Sequence, residues 1–206
     1  MIAPCALCKA ISNEGEHPEA KRPENTVLLQ SNAFLVLPAL GPFTPGHVLV
    51  VSKEHIPNLA SMGATGISEY LQVCEKLSQV LSSESVCALE AEHGATKAQK
   101  AGACVVHTHI HWLPGLGRHE RFLDGWLKKL GEGSELEGLT KFRDQPYIFV
   151  RGQSQMWIAY DATGVNSQMI RRTLCDELDR DDLDWRSNPR PDWVRRTISL
   201  FGSAKI

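Results

Sequence analysis

The segment His107-Thr108-His109-Ile110-His111 constrains this chain more than any other. In an extended strand the side chains at i, i+2 and i+4 share a face, so the three imidazoles line up at steps of about 6.5 to 7 Å while Thr108 and Ile110 take the other side. An isolated histidine is ordinarily a satisfied core or surface group. Three in alternation are different, because desolvating several titratable rings together is costly without a purpose. The pattern predicts a strand over 103–113, the longest in the chain, whose histidine face is functional. Two arrangements compete: one metal ion gathers all three rings, or the rings divide between catalysis and support. The spacing favours division, since a twisted strand brings two of the rings to one ion more easily than three.

Around that strand, short apolar runs alternate with breakers. Runs at 26–30 and 33–37 flank Ser31-Asn32 as the arms of a hairpin would. Pro38 to Gly46 holds three prolines and two glycines, which excludes regular structure, and a strand resumes at 47–51 with His47 at the junction. Ile67, Tyr70, Leu71, Cys74, Leu77 and Leu81 fall on one helical face, predicting a helix over 65–81 that covers a sheet. A strand is read over 86–90 and a loop over 92–102. Beyond Pro114 the pattern predicts a helix over 119–130, a turn at Gly131-Glu132-Gly133, strands at 147–150 and 156–160, a helix from Asn166 and a last helix over 192–201. The fold class is α+β: an antiparallel sheet with flanking helices, plus a β-β-α-α carboxy-terminal lobe. The glycine turn and rising polarity place a boundary near 140, with 1–140 as the main domain and 141–206 as an extension packed on it.

A chain of 206 residues supports one substantial core with an appended lobe. Its net charge of −2 gives no broad reason for nonspecific nucleic-acid or membrane binding, so any basic site must be local. The first residues show neither a signal peptide nor a membrane anchor, and the expected location is the cytoplasm. The six cysteines are scattered except for Cys5 and Cys8, a poor disulfide framework. Cys5-Ala6-Leu7-Cys8 is a two-thiolate clip of the kind that holds zinc; the chain has no second clip, so histidines must supply the other two ligands if it is a site at all. Gln168, Arg171 and Arg172 lie where a capped helix start and two guanidinium groups would bind an anion, the alternative being a solvated helix face. Lys97 and Lys100 invite the same pair of readings.

The motifs together resemble the histidine-triad (HIT) family. His107-Thr-His109-Ile-His111-Trp-Leu-Pro is similar to its His-x-His-x-His strand, and Pro45-Gly46-His47-Val-Leu-Val-Val-Ser-Lys-Glu-His55 to the Pro-Gly-His strand before it, with Cys5-x-x-Cys8 where many members carry a clip. Glu92-His93-Gly94 also looks like a motif that precedes the triad in some bacterial members. The resemblance covers roughly 3–116. It implies a HIT-like sheet, His109 as nucleophile toward a nucleoside-linked phosphorus, and His47 and His111 as supporting groups. It also implies a structural Zn2+ held by Cys5, Cys8, His55 and His107, and a homodimer that the added lobe either supports or replaces. Phosphate contacts would come from Gly102, Ala103 and Cys104, where many relatives have an amide and a hydroxyl side chain. Many members hold ribose with an acidic or amide group at the position of Ala39, so sugar recognition must differ here, with Asn32 or the carboxy-terminal lobe as the substitute.

The implied activity is hydrolysis of dinucleoside polyphosphates or nucleoside phosphoramidates through a nucleotidyl-histidine intermediate. A nucleotidyltransferase or phosphorylase that uses an acceptor other than water is the rival, and His111 leans toward hydrolysis because related transferases often carry glutamine there. A zinc-stabilised nucleotide-binding adaptor with little turnover is the alternative from another class.

Overall fold

The computed structural model describes residues 5–11, 22–81, 87–96, 105–182 and 184–203. Its described strands form one antiparallel sheet: β1 (Leu29–Gln30), β2 (Phe34–Pro38), β3 (Val48–Ser52), β4 (Leu89–Gly94), β5 (His109–Leu113), β6 (Lys129–Gly133), β7 (Tyr147–Arg151) and β8 (Trp157–Asp161). The spatial order is β1-β2-β3-β5-β4-β7-β8-β6. Among the described residues four α-helices accompany it: α1 (Ala6–Ile11), α2 (Gly63–Val80), α3 (Met169–Glu177) and α4 (Pro191–Ser203). No described helix is long and apolar enough to cross a membrane.

Strand alternation divides the sheet into two faces. Val36, Val48, Val50, Ile110, Trp112, Tyr147 and Phe149 form one core with Ile67, Tyr70, Val73 and Leu77 of α2. Each of these fully covered helix side chains contributes roughly 1.5–3 kcal/mol of apolar burial. Leu89, Ala91, Leu113, Ile148, Val150, Ile158 and Tyr160 form the core of the opposite face, under Ile170 and Leu174 of α3. His109 and His111 share that second face, so α3 is the helix that comes to lie beside them. Residues beyond 140 contribute β7, β8, α3 and α4 in that order, and β7 pairs directly with β4, so the one sheet runs across position 140. Glu90 and Arg151 are partners in that register, and their side chains form a buried ion pair at 2.8 Å, joined by the Tyr70 hydroxyl at 2.7 Å from Glu90. Opposite charges placed across a strand pair help fix the register.

The structure corrects the sequence reading at four points. The triad strand begins at His109, with 105–107 in a bend, because the ladder with β3 starts at the Val51–His109 pair. Glu92-His93-Gly94, read as a loop, completes β4, where pairing with β7 continues to Gly94 opposite Tyr147. No helix runs over 119–130: a short 3-10 segment at Gly117–His119 leads through turns into β6. Gly131-Glu132-Gly133 is no turn but strand, and both glycines are packing positions there, since a Cβ on Gly133 would meet the Trp157 indole at 3.0 Å and one on Gly131 the Lys141 ammonium at 3.2 Å. The hairpin at Ser31-Asn32, the strand after His47, α2 and α4 fall where periodicity placed them to within three residues. Val86 lies outside the described residues.

Glu92 points to the α2 face and is 1 % exposed. It accepts the Leu59 N–H at 2.9 Å and the Tyr147 hydroxyl at 2.6 Å, anchoring the 3-10 turn Leu59–Met62 that starts α2. Burial pushes its carboxyl up to about 8 against these two hydrogen bonds. The folded protein therefore retains a proton that the unfolded chain releases near 4.5, and the stability this provides is lost as pH rises through the window up to about 8. Above 6.5 the unfolded histidines are mostly neutral, so Tm is expected to fall between pH 6.5 and about 8, and Glu92→Gln, which keeps an acceptor for Leu59, is expected to flatten that slope. Thermal scans of both proteins across the window check this.

Candidate active site and metal centre

The loop from Pro38 to His47 crosses the end of β5 and is held from the carboxy-terminal side. Arg171 Nη2 donates to the Gly41 carbonyl, Arg180 Nη1 to the Phe43 carbonyl at 2.7 Å, and the Gly46 N–H donates to Thr197 Oγ1 at 2.9 Å. Gly41 has φ +59, and a Cβ there would meet the Trp185 Cβ at 2.6 Å, so both the turn and the close approach require glycine. Arg171 lies over the Phe43 ring at 4.3 Å. Asp182, itself 2 % exposed, receives Arg180 at 2.6 Å and Arg190 at 3.2 Å and has Arg171 at 3.7 Å. Burial opposes its ionisation, but the guanidinium groups outweigh it and hold the carboxyl below its ordinary range.

This grip fixes the Phe43 N–H on His47 Nδ1 at 3.1 Å. His47 Nδ1 is thereby an acceptor, its proton resides on Nε2, and that N–H points to His111 Nδ1 at 3.1 Å. His111 must then carry its own proton on Nε2. Burial first, then the neighbouring rings and Arg171, keeps both histidines neutral: His47 is held well below 6.5 and His111 is lowered to about 3. His109 is set in the opposite sense. Its Nδ1 donates to the His107 carbonyl at 2.6 Å, leaving the Nε2 lone pair without a protein partner among the described residues. The His109 and His111 rings lie 5.8 Å apart. The site thus presents one nitrogen lone pair beside one N–H donor, each with its tautomer set by a backbone group.

Both rings line a cavity of about 200 Å3 between the sheet and α3, whose wall is otherwise mostly apolar. Leu7 of α1, Ala39, Leu49, Met169 and Trp185 contribute to it, as do His93, Gln168 and Arg171. Of the residues singled out in the sequence, the structure therefore brings His47, His109, His111, Gln168 and Arg171 together. Arg172 is exposed on the far side of α3, and Asn32 is exposed in the β1–β2 turn; neither lines the cavity. Gly102, Ala103 and Cys104 lie outside the described residues. His93, Phe43 and Trp185 were missed. Alternation with Leu89 and Ala91 carries the signal for His93 once β4 is read to Gly94; Trp185 has no sequence signal, being delivered by the path of the chain after α3.

His107 leaves the triad face altogether. Its Nε2 donates to the Ser52 carbonyl at 2.7 Å, and its Nδ1 lies 3.6 Å from Cys5 Sγ and 3.5 Å from Cys8 Sγ. His55 Nδ1 is 3.2 Å from Cys8 Sγ. The four ligand atoms lie within 4.8 Å of one another, close enough to hold one metal ion. A tetrahedral Cys2His2 zinc site has sulfur–nitrogen edges of about 3.5 Å, so the donor set and its spacing fit that ion. The Ser52 hydrogen bond orients the His107 ring so that Nδ1 is the nitrogen facing the two cysteines.

Comparison with known proteins identifies the family. The family model for the HIT domain matches residues 20–117. An uncharacterised HIT-like protein of Borreliella burgdorferi is 34% identical over 142 residues, covering 68% of this chain and 91% of that protein. Two relatives from Schizosaccharomyces pombe carry named activities. One, adenosine 5'-monophosphoramidase hnt1, is 26% identical over 137 residues, 62% of this chain and 93% of its own. The other, an asymmetrical bis(5'-nucleosyl)-tetraphosphatase, is 32% identical over 76 residues, 36% of this chain and 41% of its own. The chain belongs to the HIT family, some of whose members hydrolyse nucleotides.

The hydrogen-bond chain from Phe43 through His47 to His111 makes a prediction that needs no substrate. In a 15N NMR titration the His47 and His111 rings are expected to stay neutral as pH falls below the ordinary 6.5, with His111 protonated on Nε2 alone. A ring that takes up its second proton near that value would contradict the assigned chain.

Proposed function

We propose that this chain is a nucleotide phosphohydrolase that cleaves phosphoanhydride or phosphoramidate bonds through a nucleotidyl intermediate on His109. The observation that carries the reading is the His109 Nδ1 to His107 carbonyl hydrogen bond, which directs the basic nitrogen away from the backbone in a cavity shared with the His47–His111 pair. Nε2 of His109 would attack the phosphorus, forming an N–P bond as the bond to the leaving group breaks. Positive charge then develops on the ring while Nδ1–H stays on the His107 carbonyl, a charge-assisted hydrogen bond stronger than the starting one. His111 Nε2–H would donate to a nonbridging oxygen or the leaving group, and His47 holds His111 in that tautomer. Water then attacks phosphorus, the N–P bond breaks with its electron pair returning to Nε2 so that His109 leaves neutral, and the proton shed by the water passes to solvent. The activities named for the two yeast relatives support both bond types as candidates.

The test is a panel of dinucleoside polyphosphates and nucleoside phosphoramidates with products identified by mass spectrometry. His109→Ala is expected to lower kcat by on the order of 10³-fold or more with the fold retained, and acid-quenched parent protein should carry a nucleotide on His109. Residual activity within about tenfold of the parent would overturn the assignment. A product bearing a non-water acceptor would identify a transferase; absence of turnover on every substrate would favour a binding role.

The Cys5, Cys8, His55 and His107 cluster is assigned to a structural zinc ion, since four protein ligands leave no open position for water. When bound, the ion would supply a cross-link between the amino terminus and the sheet rather than any chemistry on substrate. Elemental analysis is expected to find about one zinc per chain. Cys5→Ser or His55→Ala should lose it and lower Tm by on the order of 10 °C. Metal-free protein purified without chelator would refute this assignment.

A further inference from the structure

Gln168 combines three observations that the hydrolytic reading leaves unused. It stands immediately before α3 with φ +64, a left-handed conformation that a glutamine seldom adopts. It gives that helix no side-chain cap, so the strain serves no local capping role. Gln168 lines the cavity of His109 and His111, and its side-chain Oε1 is buried with no hydrogen-bond partner among the described residues. The orientation of the amide is settled by its other end: Asp184, whose carboxyl is held below its ordinary range first by the Arg186 N–H and in smaller part by Gln168, has only acceptor oxygens when ionised. The nitrogen must face Asp184, and the oxygen is the atom left over.

Buried acceptors are ordinarily paired, and one that is not marks either an error of packing or a partner that is not protein. The rest of the cavity wall favours the second. Apart from the histidines, its polar side chains are Gln168, Arg171 and the Trp185 indole, and of these only Gln168 can accept a hydrogen bond. Ala39 on the neighbouring loop offers a methyl group, and Leu40, Leu49 and Leu113 offer hydrocarbon. Gln168 therefore carries the one side-chain carbonyl among the residues of this cavity, and engaging its Oε1 breaks no existing protein hydrogen bond.

We propose that Gln168 is a specificity-determining residue whose Oε1 accepts a hydrogen bond from the nucleoside part of the substrate, an O–H of the sugar or an N–H of the base. This rests on the nucleotide reading of the cavity given above. Its consequence is that the carboxy-terminal lobe both covers the site and reads the substrate, with Asp184 orienting the amide that does so. Leaving a site's polar group unmatched is what allows it to reject an analogue lacking the donor far more strongly than an apolar wall would.

The test measures binding and so does not depend on turnover. Isothermal calorimetry on the intact protein compares the ribo, 2'-deoxy and 3'-deoxy forms of adenosine and guanosine 5'-monophosphate, with the amine-free purine riboside and inosine monophosphates as the base arms. One analogue class is expected to bind about tenfold more weakly than its parent nucleotide, and Gln168→Met, which keeps the side-chain length without the carbonyl, is expected to erase that difference. Loss in a deoxy arm assigns the donor to the sugar, and loss in a base arm assigns it to an amine. Equal affinity for all analogues in the parent overturns the proposal without any variant, as does a difference that persists in Gln168→Met. If none of the nucleotides binds, the proposal falls, and the hydrolytic reading is then judged by its own substrate panel.

Discussion

The site depends on one backbone group, the carbonyl of His107, and on the fact that His107 does not lie in the triad strand. Because the strand proper begins at His109, the His107 ring is free to turn toward Ser52 and the two cysteines while its carbonyl receives His109 Nδ1. A single residue thereby belongs to the cysteine–histidine cluster and also supports the His109 ring. Whatever fixes His107 fixes the tautomer and direction of His109. The Ser52 carbonyl does so from β3, and the β3–β5 pairing of Val51 with His109 carries that constraint into the sheet.

The second constraint is the grip of the carboxy-terminal lobe on the loop from Pro38 to His47. Asp182 neutralises part of the charge of Arg171, Arg180 and Arg190 and so permits three guanidinium groups to be crowded beside a mostly apolar cavity. Two of them bond the loop carbonyls at Gly41 and Phe43. The peptide unit whose N–H sets the His47 tautomer is thus placed by residues more than a hundred positions away. Arg171 contributes twice, since its charge also disfavours protonation of His47 and His111.

The two faces of the sheet separate the buried carboxylates from the histidine cavity. Glu90 with Arg151, and Glu92 with Tyr147, are buried on the α2 side and tie β4, β7 and the start of α2 together. His93, between those two carboxylates in sequence, points the other way and lines the cavity. Strand alternation alone produces this division.

Local periodicity made much of this legible: the hairpin, the His47 strand, α2 and the histidine alternation needed only near-neighbour patterns, while the set of Cys5, Cys8, His55 and His107 was implied by the resemblance to the HIT family. Prolines and glycines marked the loop before His47 as irregular for the same local reason. What the sequence could not contain was the assignment of His107 to a different side from His109, because a strand start is decided by where pairing with β3 becomes possible. Nor could it reveal β6 where Gly131-Glu132-Gly133 suggested a turn, since that strand forms only where β8 offers an edge that pairs Lys129 with Tyr160 and Gly133 with Trp157. The cavity wall is the clearest case. Leu7, Ala39, His93, Gln168 and Trp185 come from separate elements and share no pattern, so only the tertiary structure, which closes the lobe onto the histidine face by burying Ile170 and Leu174, placed them around one site.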